Sequence, residues 1–335
     1  MKKSILKFLP VFMIIYFVNF RLSAQSQFKV AAVFHIASSG GWDYIASGPD
    51  NNRLYVSHGT QVNILDETTG DSIGVIPNTT GVHGIAFVTA LGKGYTSNGR
   101  LNTVTVFDLK TNQVLSQITA GTNPDAIMYD EFTKTIITCN GRSNDLSMID
   151  PVTEKIVATI PVGGKPETAV SDKKGKIFVN IEDKNEIIAV DLTTHTVLNR
   201  WSLSPSEGPT GLAIDLKNNR LFSGCNKTLV IMDAGSGKII QRVTIGNGCD
   251  GVDFDPALGY AFASCGEGVL SIVNENDGVY KLLENVPTKA SARTIALNKK
   301  THTIYLPAGE FGKATAEGTR PPLVPGTFQI LVVKR

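Results

Sequence analysis

Seven residues of mostly chemically active type recur at nearly constant spacing along the chain: Asp43, His83, Asp125, Glu167, Thr210, Asp250 and Arg293. Their neighbours in sequence are largely glycine, proline and small apolar residues. If the fold brings the seven together, four carboxylates facing His83 and Arg293 suit a cation or a polar ligand carrying both charge signs, the convergent polar set expected of a binding pocket. The same residues carry an acid–base option. His83 as general base or acid, with Glu167 or Asp125 beside it, would serve a hydrolase, lactonase or lyase, provided that imidazole and carboxylate lie within hydrogen-bonding reach. A third reading is structural: side chains that bond the surrounding loops and cap a channel in a scaffold of the cell envelope.

A second register adds His58, Asn98, Asn140, Asn180 with Glu182, Cys225, Cys265 and Glu310. Of these, His58, Asn140, Asn180 and Glu310 join the ligand-binding candidates. Metal ligation finds little support, because zinc takes three or four N, S or O ligands at fixed distances and no H-x-x-x-H or C-x-x-C pair is present. Calcium held by Asp43, Asp125, Glu167 and Asp250 is chemically admissible, but ligands a full repeat apart are distant. No metal is assigned and no cofactor is required. Arg100 with Asn102, and Arg142 with Asn144 and Asp145, occupy corresponding loops and read as salt bridges and Asx turns, with partner binding as the alternative. No G-x-S-x-G elbow or phosphate-cradling glycine loop is visible.

The elements that position these residues repeat every roughly 42 residues, a period characteristic of propellers and solenoids. An Asp closes an apolar strand and opens a turn at Asp66, Asp108, Asp150, Asp191 and Asp233, followed by Asn274, and a short polar residue stands three positions later in most copies. Upstream, an apolar-aromatic strand ends in small polar residues seven times, from Leu54-Tyr55-Val56-Ser57 to Ile304-Tyr305-Leu306-Pro307. Strands rich in β-branched and aromatic residues run between the two registers. Each unit therefore reads as four short strands, and the fold class as an all-β, seven-bladed β-propeller. Antiparallel order puts the loop into each first strand, and the loop between second and third strands, on one face (the top), with the Asp turns on the bottom.

The units span about 40–79, 80–121, 122–164, 165–208, 209–248, 249–290 and 291–335. The last lacks a fourth strand, and residues 28–36 form an orphan strand that can complete it and close the ring, removing exposed sheet edges. The stretch 311–326, with Pro321, Pro322 and Pro325, reads as a surface loop because proline cannot feed a ladder. Residues 25–335 form a single domain on this reading, expected to be a monomer.

Residues 1–24 read as a signal peptide: Lys2 and Lys3, an apolar run over 5–20, and Leu22-Ser23-Ala24 before Gln25. Cleavage near Ala24 makes the protein exported, periplasmic or secreted, with no membrane span in the mature chain. It also removes four of the 32 basic residues and leaves 28 against 30 acidic, a balance that argues against nucleic acid as a partner. The partner is then an unidentified small molecule or envelope protein. Export permits disulfides. With the sixth hairpin centred on Ala257, Cys249 and Cys265 fall opposite one another, as a disulfide, as a free pair, or as small buried residues.

Leu54-Tyr55-Val56-Ser57 is a variant of a Tyr-Val-Thr-Asn signature, and the chain closes with Pro322-Leu323-Val324-Pro325-Gly326-Thr327-Phe328 followed by Leu331-Val332-Val333. In these features the chain resembles the YncE-like family of YVTN-repeat propellers over essentially the whole mature length. The resemblance implies an exported propeller, and it implies no activity, since a propeller is a platform for many functions.

Overall fold

The structure is a computed structural model that describes residues 27–38, 40–49, 51–313 and 321–335; residues 1–24, which read as a signal peptide, lie outside the described residues. Seven four-stranded antiparallel sheets make up the fold. In blade 1 the strands are Trp42–Ser47, Arg53–His58, Gln61–Asp66 and Ser72–Ile76, and the following blades repeat that order. Each first strand packs against the next around the full circle, the last, Ala296–Asn298, meeting Trp42–Ser47. The seven-bladed ring expected from the repeat is therefore closed.

The apolar core is divided among the blade interfaces. Among the described residues it forms seven clusters, each straddling two neighbouring blades. Between blades 1 and 2, for example, Tyr55, Val62, Ile64 and Ile76 meet Val82, Ile85 and Phe107. Every sheet buries both faces this way, so its middle strands read as apolar on both sides while only the outer, fourth strands alternate toward solvent. At points near the centre the first strands approach so closely that no side chain fits. A Cβ on Gly84 would come within 3.0 Å of the Ile127 backbone nitrogen, and one on Gly251 within 3.0 Å of Ile295 N.

The bottom turns follow the sequence at five of six positions. Asp66, Asp108, Asp150, Asp191 and Asp233 each accept two backbone N–H bonds from the residues two and three further on, such as Thr68 and Thr69 at 2.8 and 2.9 Å from Asp66 Oδ1. These bonds favour the ionised carboxylate and hold Asp66, Asp108 and Asp191 below the usual range; Asp233 is lowered first by the Ser236 hydroxyl and then by the backbone. Asn274 departs from the pattern. Its strand runs on from Val269 to Asn276 and the turn moves to Asp277, which adopts a left-handed φ of 52°.

Lys29–His35 pairs antiparallel with Gln329–Lys334, so the first and last strands of the chain share blade 7. Phe28 is fully buried against Phe262 and Tyr260 of blade 6, with ring centroids 5.6 and 6.2 Å away, while Phe34 and Ile36 enter the interface with blade 1. Beside blade 1, Phe311 bridges to Leu323 and its ring lies 5.5 Å from that of Trp42. Deleting 28–36 while keeping residues 1–24 removes three buried apolar side chains, Phe28, Phe34 and Ile36, each contributing about 1.5–3 kcal/mol, and bares Gln329–Lys334 as an apolar edge. The expected outcome is loss of soluble, cooperatively melting protein, checked by size-exclusion chromatography and a circular-dichroism melt; an unchanged melt contradicts the latch.

Candidate functional site at the channel mouth

Five of the seven register residues, Asp43, His83, Asp125, Glu167 and Asp250, stand second in the first strand of their blades. At that point the ladder to the second strand is interrupted in all five blades, with register shifts at Trp42/Ile45, Val82/Ile85, Pro124/Ile127, Pro166/Ala169 and Cys249/Gly251. An interruption of this kind re-aims a side chain. Here it frees the backbone around the second residue, and small polar groups of the second strands satisfy what the ladder leaves. Ser57 Oγ accepts from Asp43 N–H at 3.1 Å and donates to the Tyr44 carbonyl at 2.8 Å; Ser97 does the same for Gly84 N and the Asp125 carbonyl.

The re-aimed side chains meet at the channel mouth. His83 donates from Nδ1 to Asp43 Oδ2 at 2.5 Å, and Asp125 Oδ1 lies 3.7 Å from the same nitrogen. Arg293 bridges across the ring, pairing with Asp250 through Nη1 and with Asp43 Oδ1 at 3.4 Å through Nη2. Lys165, which sequence reasoning passed over, pairs with Glu167 at 2.7 Å and with Glu182. Thr210 turns away from the site and donates to the Cys249 carbonyl at 2.8 Å, tying blade 5 to blade 6. The acid–base requirement of imidazole beside carboxylate is thus met by Asp43, with Asp125 close by.

Burial and crowding shift these groups. Burial, followed by the charge of Asp125, pushes the Glu167 carboxyl up to about 8 against the opposing pull of Lys165. Burial likewise raises Asp125 to about 6, with His83 opposing and Asp43 reinforcing. Asp250 is raised by burial despite Arg293. For His83, burial works against the imidazolium, but the hydrogen bond to Asp43 and the charges of Asp125, Asp43 and Glu167 outweigh it and raise the pKa. Beneath the ring, the Tyr44 phenol is held neutral by burial and by the same carboxylates. It lines a cavity of about 160 Å³ inside the channel with Met128, Ile137 and Cys139, and nothing in its sequence context marked it.

The second register behaves differently. His58 is fully buried: Nδ1 meets Ser38 Oγ at 2.9 Å, Nε2 donates to the Gly40 carbonyl at 2.8 Å, and the ring lies 4.3 Å from Phe328. Burial lowers its pKa, so it is a neutral packing residue and not a ligand group. Asn140 is also buried, donating to Asp145 and Ser147 at 2.7 and 2.9 Å. Asn180 donates to the Thr210 and Gly211 carbonyls at 3.0 and 3.1 Å, stitching blade 4 to blade 5. Glu310 lies exposed, paired with Lys289 at 2.7 Å. The structure places these four candidates away from the mouth: His58 and Asn140 end second strands, Asn180 stands next to the end of one, and Glu310 follows one, with side chains turned to the blade interface or the outer rim. Cys249 and Cys265 are register partners as expected, and all four cysteines are buried free thiols.

Two cavities open at the mouth. One of about 530 Å³ is lined by Asp43, His83, Arg100, Asn123, Arg142 and Arg293, among others. The other, of about 470 Å³, lies toward blades 4 to 6 and is lined by Glu182, Glu207, Thr210 and Asp250, with Arg293 between the two. The salt bridges expected for Arg100 and Arg142 do not form among the described residues; both side chains are exposed on the cavity wall. Asp43, His83 and Asp125 present ligand atoms all within 4.8 Å of one another, closer than repeat spacing suggested, yet Asp43 is engaged by Arg293.

No family model matches the chain, and no curated protein matches it. Among solved structures it is similar to Kuenenia stuttgartiensis hydrazine synthase, with a TM-score of 0.72 over 81% of this chain and 94% of that one, at 16% identity. At that identity the likeness is one of fold. With its closed ring of seven four-stranded sheets, the chain is a seven-bladed β-propeller. Among the described residues no helix is long and apolar enough to cross a membrane.

The shift of Glu167 has a measurable consequence. Because its folded pKa of about 8 lies above the reference of 4.5, the stability it contributes is complete below 4.5 and is lost as pH rises through about 8. Glu167→Gln keeps the shape and removes the titration. Its melting temperature is therefore expected to match wild type near pH 5 and exceed it near pH 9; a difference that does not grow with pH contradicts the assignment.

Proposed function

We propose that the protein is an exported binding module that takes up a small polar ligand at the top-face mouth of its channel. The observation that carries this reading is an open mouth. A ring of side chains serving only as a cap would fill the space they surround, whereas here two cavities, of about 530 and 470 Å³, flank Arg293 above the ring. Their size is that of ordinary small-molecule sites. The apparent leader 1–24 and the YncE-like resemblance support export, to the periplasm or beyond. A purely structural scaffold fits less well, since the groups doing structural work at this face are others, namely Ser57, Ser97, Asn140, Asn180 and Thr210.

One feature favours a second reading. The Asp43–His83 pair orients the imidazole through Nδ1 and leaves Nε2 at the cavity wall, the arrangement a general base uses. Binding is common to both readings, so it is tested first. Native mass spectrometry of protein purified from its own envelope is expected to show a small-molecule adduct. His83→Gln, which breaks the Asp43 contact without emptying a core, is expected to lose that adduct while its melting temperature changes little. Adduct-free wild-type protein, or an adduct that survives His83→Gln unchanged, overturns the mouth as the ligand site.

A further inference from the structure

We infer that the mouth selects an anion, and that Arg100 and Arg142 seat its carboxylate or phosphate group; this rests on the mouth being the ligand site and names what enters it. Among the described residues, the arginines of the chain divide sharply. Arg53 donates to the Leu109 carbonyl and Asn112, Arg200 to Glu186 and the Val162 carbonyl, Arg220 to Asp233, Arg242 to the Leu203 and Ser204 carbonyls, and Arg293 to Asp250 and Asp43. Only Arg100, Arg142 and the terminal Arg335 have no acceptor among the described residues. Two of those three line one cavity.

Their placement is built. Arg100 and Arg142 each stand two positions beyond the end of the second strand, Lys93–Asn98 in blade 2 and Thr135–Asn140 in blade 3. The loops that carry them are fixed by backbone bonds: Arg142 N–H donates to the Thr122 carbonyl at 3.1 Å, Gly141 N–H to Asn123 at 2.9 Å, and Gly99 N–H to Gly81 at 2.8 Å. Asn102 Oδ1 accepts from Asn123 N–H at 2.8 Å and locks one loop to the next. The stem of Arg100 lies across Gly81, where an added Cβ would come within 2.6 Å of its Cγ; with φ at 73°, that position suits glycine on both counts. The guanidinium groups are thus carried on rigid loops while their donors stay unused, the combination that favours bidentate capture of a carboxylate or phosphate.

The remaining wall agrees in sign. The carboxylate of Asp43 is already engaged by His83 and Arg293, so it presents little free negative charge to the cavity. His83 Nε2, on the far side of the ring from Asp43, has no acceptor among the described residues and approaches Gly99 beside Asn123 Oδ1. The neighbouring cavity differs: Glu182 and Asp250 on its wall are engaged by Lys165 and Arg293, and Glu207 is the carboxylate there with no ion pair among the described residues. An anion entering the mouth is therefore directed to blades 2 and 3.

The test is isothermal titration with separate arms of succinate, citrate and inorganic phosphate, run on wild type, on Arg100→Gln/Arg142→Gln, and on Lys173→Gln as an exposed charge control away from the mouth. The double variant should fold normally, since neither arginine has a described partner to lose. Binding of at least one probe by wild type and by Lys173→Gln, weakened about tenfold or more in the double variant, is the expected result. The arm that binds separates carboxylate from phosphate. Parallel arms with putrescine, calcium and glucose separate the two levels of the argument. Binding of one of these, lost in Asp250→Asn, with no anion bound, overturns anion selection and keeps the mouth as a site; no binding in any arm counts against both. Anion binding unchanged in the double variant also overturns the assignment.

Discussion

Ring closure by the antiparallel pairing of Lys29–His35 with Gln329–Lys334 is the constraint on which the rest of this structure depends. No blade owns a core, because each apolar cluster lies between two blades and half of it belongs to the neighbour. A sheet in such an arrangement is stable only when both neighbours are present. In an open chain of seven units two faces would be bare. The latch converts a linear stack with two exposed ends into a circle with none, and it does so by pairing strands far apart in the sequence.

Closure has a geometric consequence at the centre. Seven first strands converge there, and at Gly84, Gly211 and Gly251 the next strand approaches so closely that a Cβ would clash with it, while Tyr44 at the same position of blade 1 points into the channel. Bulky polar groups are excluded from the channel wall except where the strand escapes its ladder. The interruption at the second residue of five first strands is that escape, and it is why Asp43, His83, Asp125, Glu167 and Asp250 all project at one level instead of lining the channel at random depths. The same crowding accounts for their electrostatics. Carboxylates brought together with little water raise one another's pKa, and His83, Lys165 and Arg293 are the counter-charges that oppose the rise.

Much of this was legible in the sequence because the repeat imposes one geometry seven times. Strand order, the bottom turns, the latch and the first-strand register all follow from comparing residues at equal offsets. What was not legible depends on side-chain direction within an offset. His58 and Asn140 end second strands just as Asn98 does, and nothing in residue type says that the last position of such a strand faces the blade interface; the period-2 alternation places them there only once the ladder register is known. The loops of Arg100 and Arg142 read from sequence as salt bridges and Asx turns, with partner binding as the alternative. The structure spends the nearby acids elsewhere: Asp145 accepts from Asn140, and Asp150 from its own turn. Asn274 failed as a turn residue because its strand is longer than the corresponding strands of the first five blades, a length difference that equal offsets conceal.

The division of charge across the mouth follows from this allocation and not from composition, which is nearly balanced. Arg293 lies between the two cavities and satisfies a carboxylate from each side, Asp43 and Asp250. By neutralising Asp43 together with His83, it leaves the side of blades 1 to 3 with the unpaired guanidinium groups of Arg100 and Arg142. On the other side Lys165 reaches Glu167 and Glu182, but Glu207 has no cation near it among the described residues. A chain with almost no net charge thus presents a mouth with a donor-rich half and an acceptor-rich half. The polarity is set by which ion pairs the first-strand geometry allows to form.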